Sequence, residues 1–306
     1  MSQASRRSIR YVPGAEHRDW SGHAHLFARD IPLGIMPTWR LRRNDLAIEF
    51  ATTDESSKAK LLTLLRETAH YGPHSFEEAV CDFVEDAATQ MAHTGQAAYE
   101  ICRRDDEVQL LPITEGRIVS VAGLNWQKLP RQQQHDDGPN PLSRRYIYIP
   151  GNALWRLRLP RGLGTPRQHR RTLRNLERAS TLVTAFAVAT PDLGRRVGYD
   201  FVVHRDASDR VQERLTRRWG STLSLQRPVG TSSEYFFIAR RLAFHRAQAM
   251  LREHLIASLN RLLPELGITG VLKVVGLPSA QSIEDVLGQL HAGEVSFGEA
   301  LGAVRL

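Results

Sequence analysis

The amino-acid sequence predicts a mixed fold of the α+β class, in which helices frame short strands, and three observations predict it. A capped, strongly periodic helix opens at Ser75, a run of short strands fills residues 97–159, and a helical pattern of unusual length extends from Ser232 to Leu263. With 306 residues, 42% hydrophobic and 24% charged, the chain is ordinary for a protein with a substantial core.

Residues 1–30 mix Arg, His, Gly and Ser with isolated aromatics (Tyr11, Trp20, Phe27), which reads as an extended arm that orders against something else. From Thr38 to Phe50, Trp39, Leu41, Leu46, Ile48 and Phe50 partly alternate with polar residues, as in a strand. Asp54 is placed to cap a helix over Ser57–Thr68, whose buried face is Leu61, Leu62, Leu64 and Leu65. Ser75 and Glu78 have capping-box spacing. Phe76, Ala79, Val80, Phe83, Ala87 and Met91 then recur every three or four residues until Gly95 stops the helix. Strands follow over Ala97–Arg103, Val108–Ile113, Arg117–Ala122 and Arg145–Leu159, the last broken near Pro150-Gly151, with a polar loop over Gln132–Ser143.

Thr165-Pro166 starts a helix with proline at its first position, where no N–H is needed, and the pattern continues to about Ala189. Tyr199–His204 and Thr222–Leu225 read as strands, and Asp206–Trp219 as a short amphipathic helix. The pattern from Ser232 spans roughly 45 Å as a helix. Tyr235, Ile238, Leu242, Ala249, Ile256 and Leu259 lie near one stripe, which suggests a strut or subunit contact. The two long helices are expected to stand side by side and hide their apolar stripes against each other and against copies of themselves. A strand, Val271–Val275, and two short helices capped by Ser282 and Ser296 complete the chain.

Lys+Arg of 41 against Asp+Glu of 33 gives 41 − 33 = +8, an excess that favours a polyanionic neighbour. Nearly all of it is arginine; the lysines are Lys58, Lys60, Lys128 and Lys273. Arginine suits forked contacts to phosphate and carboxylate, although a base-composition bias of the genome gives the same usage. Cys81 and Cys102 read as small core residues in a reducing compartment. The basic, polar start is unlike a secretory signal. The longest apolar run, Leu182–Val188, is far short of a membrane helix, so no membrane partner is expected.

Candidate chemistry is sparse. His204-Arg205-Asp206 resembles a kinase catalytic loop, but Val211 stands where the metal-holding Asn belongs. His23/His25 and His70/His74 are close pairs without an accompanying acid pattern, and Gly72-Pro73 interrupts the second, so no metal is expected. Gly162 and Gly164 precede a helix without a nucleotide-loop fingerprint and read as a turn. Asp105/Asp106 and Asp136/Asp137 fall in turns. Neither catalytic residues nor a cofactor follow.

The segment 156–178 differs. Arg156, Arg158, Arg161, Arg167, Arg170, Arg171, Arg174 and Arg178 are opposed there only by Glu177. Such a stripe can track a nucleic-acid backbone without reading bases. It equally suits a solvated face, or one that meets the acids of a neighbouring subunit.

Three stretches carry a resemblance. FEEAVCDFVEDAATQMAHTGQAAYEICRRD resembles the wing of tailed-bacteriophage portal proteins, where a helix leads through Gly into a strand. LLPITEGRIVSV and RRYIYIPGNALWRL look like the strand pair of that family with its Ile-Pro turn, and SIEDVLGQLHAGEVSFGEALGAV is similar to its C-terminal helices. The resemblance implies a portal-like fold: an arm (1–30), an α/β wing (31–160), a first stem helix (161–194), a small α/β clip (195–228), a second stem helix (229–264) and a C-terminal wing or crown segment (265–306).

By function, the resemblance implies a self-assembled ring, usually of twelve subunits, at the capsid vertex of a virion assembled in the host cytoplasm. The ring passes double-stranded DNA, sits among the major capsid protein, docks terminase and head–tail connector proteins, and has no catalytic residues. The chain is short for the family and strongly basic where portal channels are often acidic. Two other readings stay open: a non-catalytic, Arg-rich nucleic-acid-binding protein, and an enzyme whose site only the fold assembles.

Overall fold

A computed structural model describes residues 20–37, 46–52, 54–68, 75–104, 107–113, 117–128, 146–189, 210–220 and 234–303. The segments expected as strands at 199–204 and 222–225, the loop at 132–143 and the first 19 residues lie outside them, as do His70, His74, His204-Arg205-Asp206 and both Asp pairs. The described chain is α+β, with helices around three small antiparallel sheets.

The organising helix is α3, Phe76–Thr94, flanked by α1 (Gly22–Asp30) and α2 (Glu55–Leu65). Ser75 caps α3 by accepting from the Glu78 N–H at 3.1 Å, and Gly95 ends it in the left-handed region at φ 81°. Its Phe76, Val80, Phe83, Val84 and Met91 are all buried, so α3 is covered on more than one side. Asp54 caps α2 as expected, accepting from the Ser56 N–H at 2.9 Å.

The strands β1 (Ala47–Ala51) and β8 (Val271–Val275) close a two-stranded sheet from opposite ends of the chain, Ala47 opposite Val275. A second sheet has the order β3 (Glu107–Pro112), β2 (Gln96–Arg104), β7 (Leu154–Arg158), and a third joins β4 (Arg117–Val121), β5 (Leu124–Lys128) and β6 (Tyr146–Ile149). The Pro150-Gly151 break therefore does more than interrupt one strand: it sends β6 and β7 to different sheets. Tyr99 of β2 is fully buried and donates its hydroxyl to Asp86 at 2.8 Å, while Phe83 stacks on Trp155 with centroids 5.9 Å apart.

The remaining helices are α4 (Pro166–Ala189), a short helical segment over 210–219, α5 (Glu234–Leu262), α6 (Ala280–Ala292) and α7 (Phe297–Gly302). Four expectations need correction. Residues 22–30 are not an extended arm: Ala24, Phe27 and Ala28 are fully buried, and the Trp20 indole N–H donates to the His93 carbonyl at 3.1 Å. A short apolar stripe suffices there because α4 and α3 supply its cover. The cap of α6 is Ser279, which accepts from the Ser282 N–H at 3.0 Å, so Ser282 lies inside the helix.

The two long helices do not lie side by side. Instead, α4 packs on α1 and α3, and α5 packs chiefly on α6. The α5 stripe is consumed by the chain's own core. Ile238, Leu242 and Ala249 are buried against Ile283, Leu290 and Ala300 of α6 and α7, and Ile256 and Leu259 belong to the main core. Tyr235 packs at the margin, with its ring 6.0 Å from His291 and 6.5 Å from Phe297. As a set these six residues are internal packing, because α5 is apolar on several sides and has partners on each.

Candidate nucleic-acid interface

The local sequence fixes how α4 begins. Thr165 Oγ accepts from the Gln168 N–H at 3.2 Å, and the Gln168 side-chain oxygen accepts from the Thr165 N–H at 3.0 Å, a reciprocal cap ahead of Pro166. The first-turn donors are thus partly spoken for, and Gly162 and Gly164 act as a turn. Gly164 sits at φ 105°, and a Cβ at Gly162 would fall 2.5 Å from Met250.

Further along, His169, Leu173, Leu176 and Ser180 form the buried face of α4. At about 100° per residue, Arg167, Arg171, Arg174 and Arg178 fall within about 60° of one another on the opposite side. All four are exposed. The row is about 16 Å long. Glu177, the one acid of the segment, accepts from the Ser21 N–H at 3.4 Å and the Ser21 hydroxyl at 3.3 Å. Among the described residues no carboxylate is paired with these four arginines.

The other arginines of the set are distributed. Arg170 is half-buried and returns its Nε–H to the Pro166 carbonyl at 3.3 Å, so it serves the helix itself. Arg158 and Arg161 are exposed just before α4, whereas Arg156 of β7 is half-buried with its Nε unsatisfied. Burial, and then the neighbouring charge of Arg158, lowers the Arg156 guanidinium from its ordinary value.

A second row went unread in the sequence. Arg210, Arg214 and Arg217 repeat the i, i+4, i+7 spacing of Arg167, Arg171 and Arg174, and all are exposed. That spacing was the available signal. Arg218 joins this segment to the first turn of α4, donating to the Gln168 side-chain oxygen at 2.9 Å. The acid nearest in sequence, Glu213, turns away into an ion pair with Arg240 at 2.8 Å. The two arginine rows therefore lie on segments that touch through Arg218 and Gln168, and the acids beside them are engaged elsewhere. Exposed arginines at this spacing can neutralise phosphates.

His23 lies 3.0 Å from the Gln212 side-chain nitrogen. No group of three His, Cys, Asp or Glu among the described residues could hold a metal ion, and no helix among them is long and apolar enough to cross a membrane. Cys81 is buried, and burial pushes its thiol up to about 12. The chain matches no protein-family model and no curated protein.

Proposed function

We propose that this chain is a portal-like subunit. Copies assemble into a ring that conducts double-stranded DNA at a capsid vertex, docks terminase and head–tail connector proteins, and leaves catalysis to a separate motor. One observation carries this reading, the order of elements. A helix leads through Gly95 into paired short strands, an Ile149-Pro150 turn precedes the Arg-rich helix, and a small helical segment, the long α5 and two short capped helices follow. Because the α5 stripe is buried within its own chain, subunit contacts in this reading use other surfaces. Negative-stain images of the purified protein are expected to show rings with a central hole. A strict monomer in light scattering at high concentration overturns the proposal.

A second reading is favoured by the uncompensated arginine rows: a non-catalytic protein that binds nucleic-acid backbones. It predicts DNA binding that weakens steeply with salt, and that falls roughly uniformly across sequences in an Arg171→Ala/Arg174→Ala variant. Indifference of binding to that change removes it.

A further inference from the structure

Subunit contacts in the ring reading need surfaces other than the α5 stripe, and charge marks two of them. Residues 276–303 contain Glu284, Asp285, Glu294 and Glu299 and no lysine or arginine. Three of these acids are engaged at home. Glu284 is paired with Arg246, the Gln281 side chain donates to Asp285 at 2.8 Å, and Glu299 accepts from the Ser296 N–H at 2.8 Å in the cap of α7. Glu294 and Glu234, the latter at the start of α5, are exposed and, among the described residues, in no ion pair. Glu234 adjoins Tyr235 in the chain, and Glu294 stands three residues before Phe297. The Tyr235 ring is 6.5 Å from that of Phe297, which is 36% exposed. Both carboxylates therefore belong to one acidic, aromatic end of α5–α7.

A surface that mixes carboxylates with ring faces suits arginine above other cations, because a planar guanidinium pairs with the one and stacks on the other. It repels phosphate, so nucleic acid is not its partner. The chain itself supplies the complement. Arg167, Arg171, Arg174 and Arg178 are exposed along one face of α4, and among the described residues no carboxylate is paired with them. The helix α4 packs on α1 and α3, whereas α6 and α7 pack on α5, so the basic and acidic surfaces are different patches of the fold. A contact between two different patches is heterologous, and where its rotation closes it makes a ring. Pairing the α4 rows of two copies with each other would instead set arginine against arginine.

We propose that the acidic, aromatic end formed by Glu234, Tyr235, Glu294 and Phe297 receives the α4 arginine row of a second copy of this chain. This rests on the ring reading, and it claims for a subunit contact the arginines that the nucleic-acid reading gives to phosphates. The test reverses charge on each side of the contact in the full-length protein and follows mass by light scattering. Arg171→Glu/Arg174→Glu and, separately, Glu234→Arg/Glu294→Arg are expected to raise the concentration at which assemblies form by at least about tenfold, because each sets like charges face to face. An equimolar mixture of the two variants is expected to assemble at the parent's concentration, since each offers the surface that the other now needs. All four positions are exposed, and far-ultraviolet circular dichroism checks that folding is spared. Assembly of either variant alone at the parent's concentration overturns the contact and leaves the ring reading standing. So does a loss in both that mixing does not restore. A parent that stays monomeric at high concentration overturns the contact and the ring reading together. Should Arg171→Glu/Arg174→Glu lose duplex binding and keep its mass, the contact is overturned and the row belongs to nucleic acid.

Discussion

At the scale of single residues, two positions make the strongest claims. Gly220 ends the 210–219 segment at φ 64°, and a Cβ there would fall 2.6 Å from the Phe244 backbone nitrogen and 2.6 Å from the Ala243 Cβ. Backbone cannot yield as a flexible side chain can, so the glycine sets how closely this segment approaches α5. Gly220→Ala is expected to cost about 1–3 kcal/mol or more, combining left-handed strain with a clash, and to lower the urea midpoint accordingly.

His169 is the other. It is 2% exposed, wedged between the Phe27 and Trp219 rings, with Nε2 2.7 Å from the Ala92 carbonyl. Burial lowers its pKa from 6.5 to about 4; the Ala92 hydrogen bond opposes that shift, and the charges of His93 and Arg170 add to it. Between those two values the unfolded chain binds a proton that the folded chain refuses. The imidazole's contribution is therefore complete above pH 6.5, declines as pH falls through the window, and is flat below pH 4. The amount at stake is about 3 kcal/mol. Glu85 works the opposite way, since burial and then Asp82 raise it to about 7. The parent and a His169→Gln variant, compared by urea unfolding at pH 7 and pH 4.5, share the Glu85 contribution, so the difference between them isolates the histidine. Relative to pH 7, the variant's stability at pH 4.5 is expected to be more favourable than the parent's by about 2–3 kcal/mol.

At the scale of elements, legibility depended on whether the signal was local. The helix Phe76–Thr94 could be read because its cap, its periodicity and its terminal glycine all sit within its own twenty residues. The helix Gly22–Asp30 could not: only Ala24, Phe27 and Ala28 mark its buried stripe, and what covers Phe27 is His169 and Trp219, some 140 and 190 residues further on. Periodicity in α5 picked out Ile238, Leu242, Ala249, Ile256 and Leu259, which are buried, and Tyr235, which is partly so. It missed Leu251, Leu255 and Leu262 and did not tell against what they hide. The answer was α6, α7 and the main core, a choice set by long-range packing that no stripe encodes. The same limit applied to the arginines, where spacing found one face of α4 while contact with the 210–219 segment required the fold. From this follows an element-level expectation. Leu242 is fully buried between α5 and its partners. Leu242→Ala should cost about 2–5 kcal/mol of the chain's own stability, seen as a fall in denaturation midpoint. The stripe would be an assembly surface if the change instead split oligomers and left the subunit's own stability intact.

At the scale of the whole molecule, charge is the property with a measurable consequence. The chain carries 41 basic against 33 acidic side chains, yet its excess is not spread evenly, because Glu177 and Glu213 are occupied beside the two rows of exposed arginines. If Arg167, Arg171, Arg174 and Arg178 each neutralise one phosphate of a duplex, counterion release gives a slope of log K against log salt near about −3.6. Between about 50 and 200 mM salt that amounts to a loss of affinity of about a hundredfold. Replacing Arg171 and Arg174 by alanine should flatten the slope by about 1.8, whereas Arg170→Ala, which removes a side chain bonded to its own helix, should leave it nearly unchanged. A titration of duplex binding at four salt concentrations measures all three slopes. Equal slopes for the parent and the double variant would move the DNA contact off this helix, and a slope well beyond −3.6 would bring the row at Arg210, Arg214 and Arg217 into the same contact.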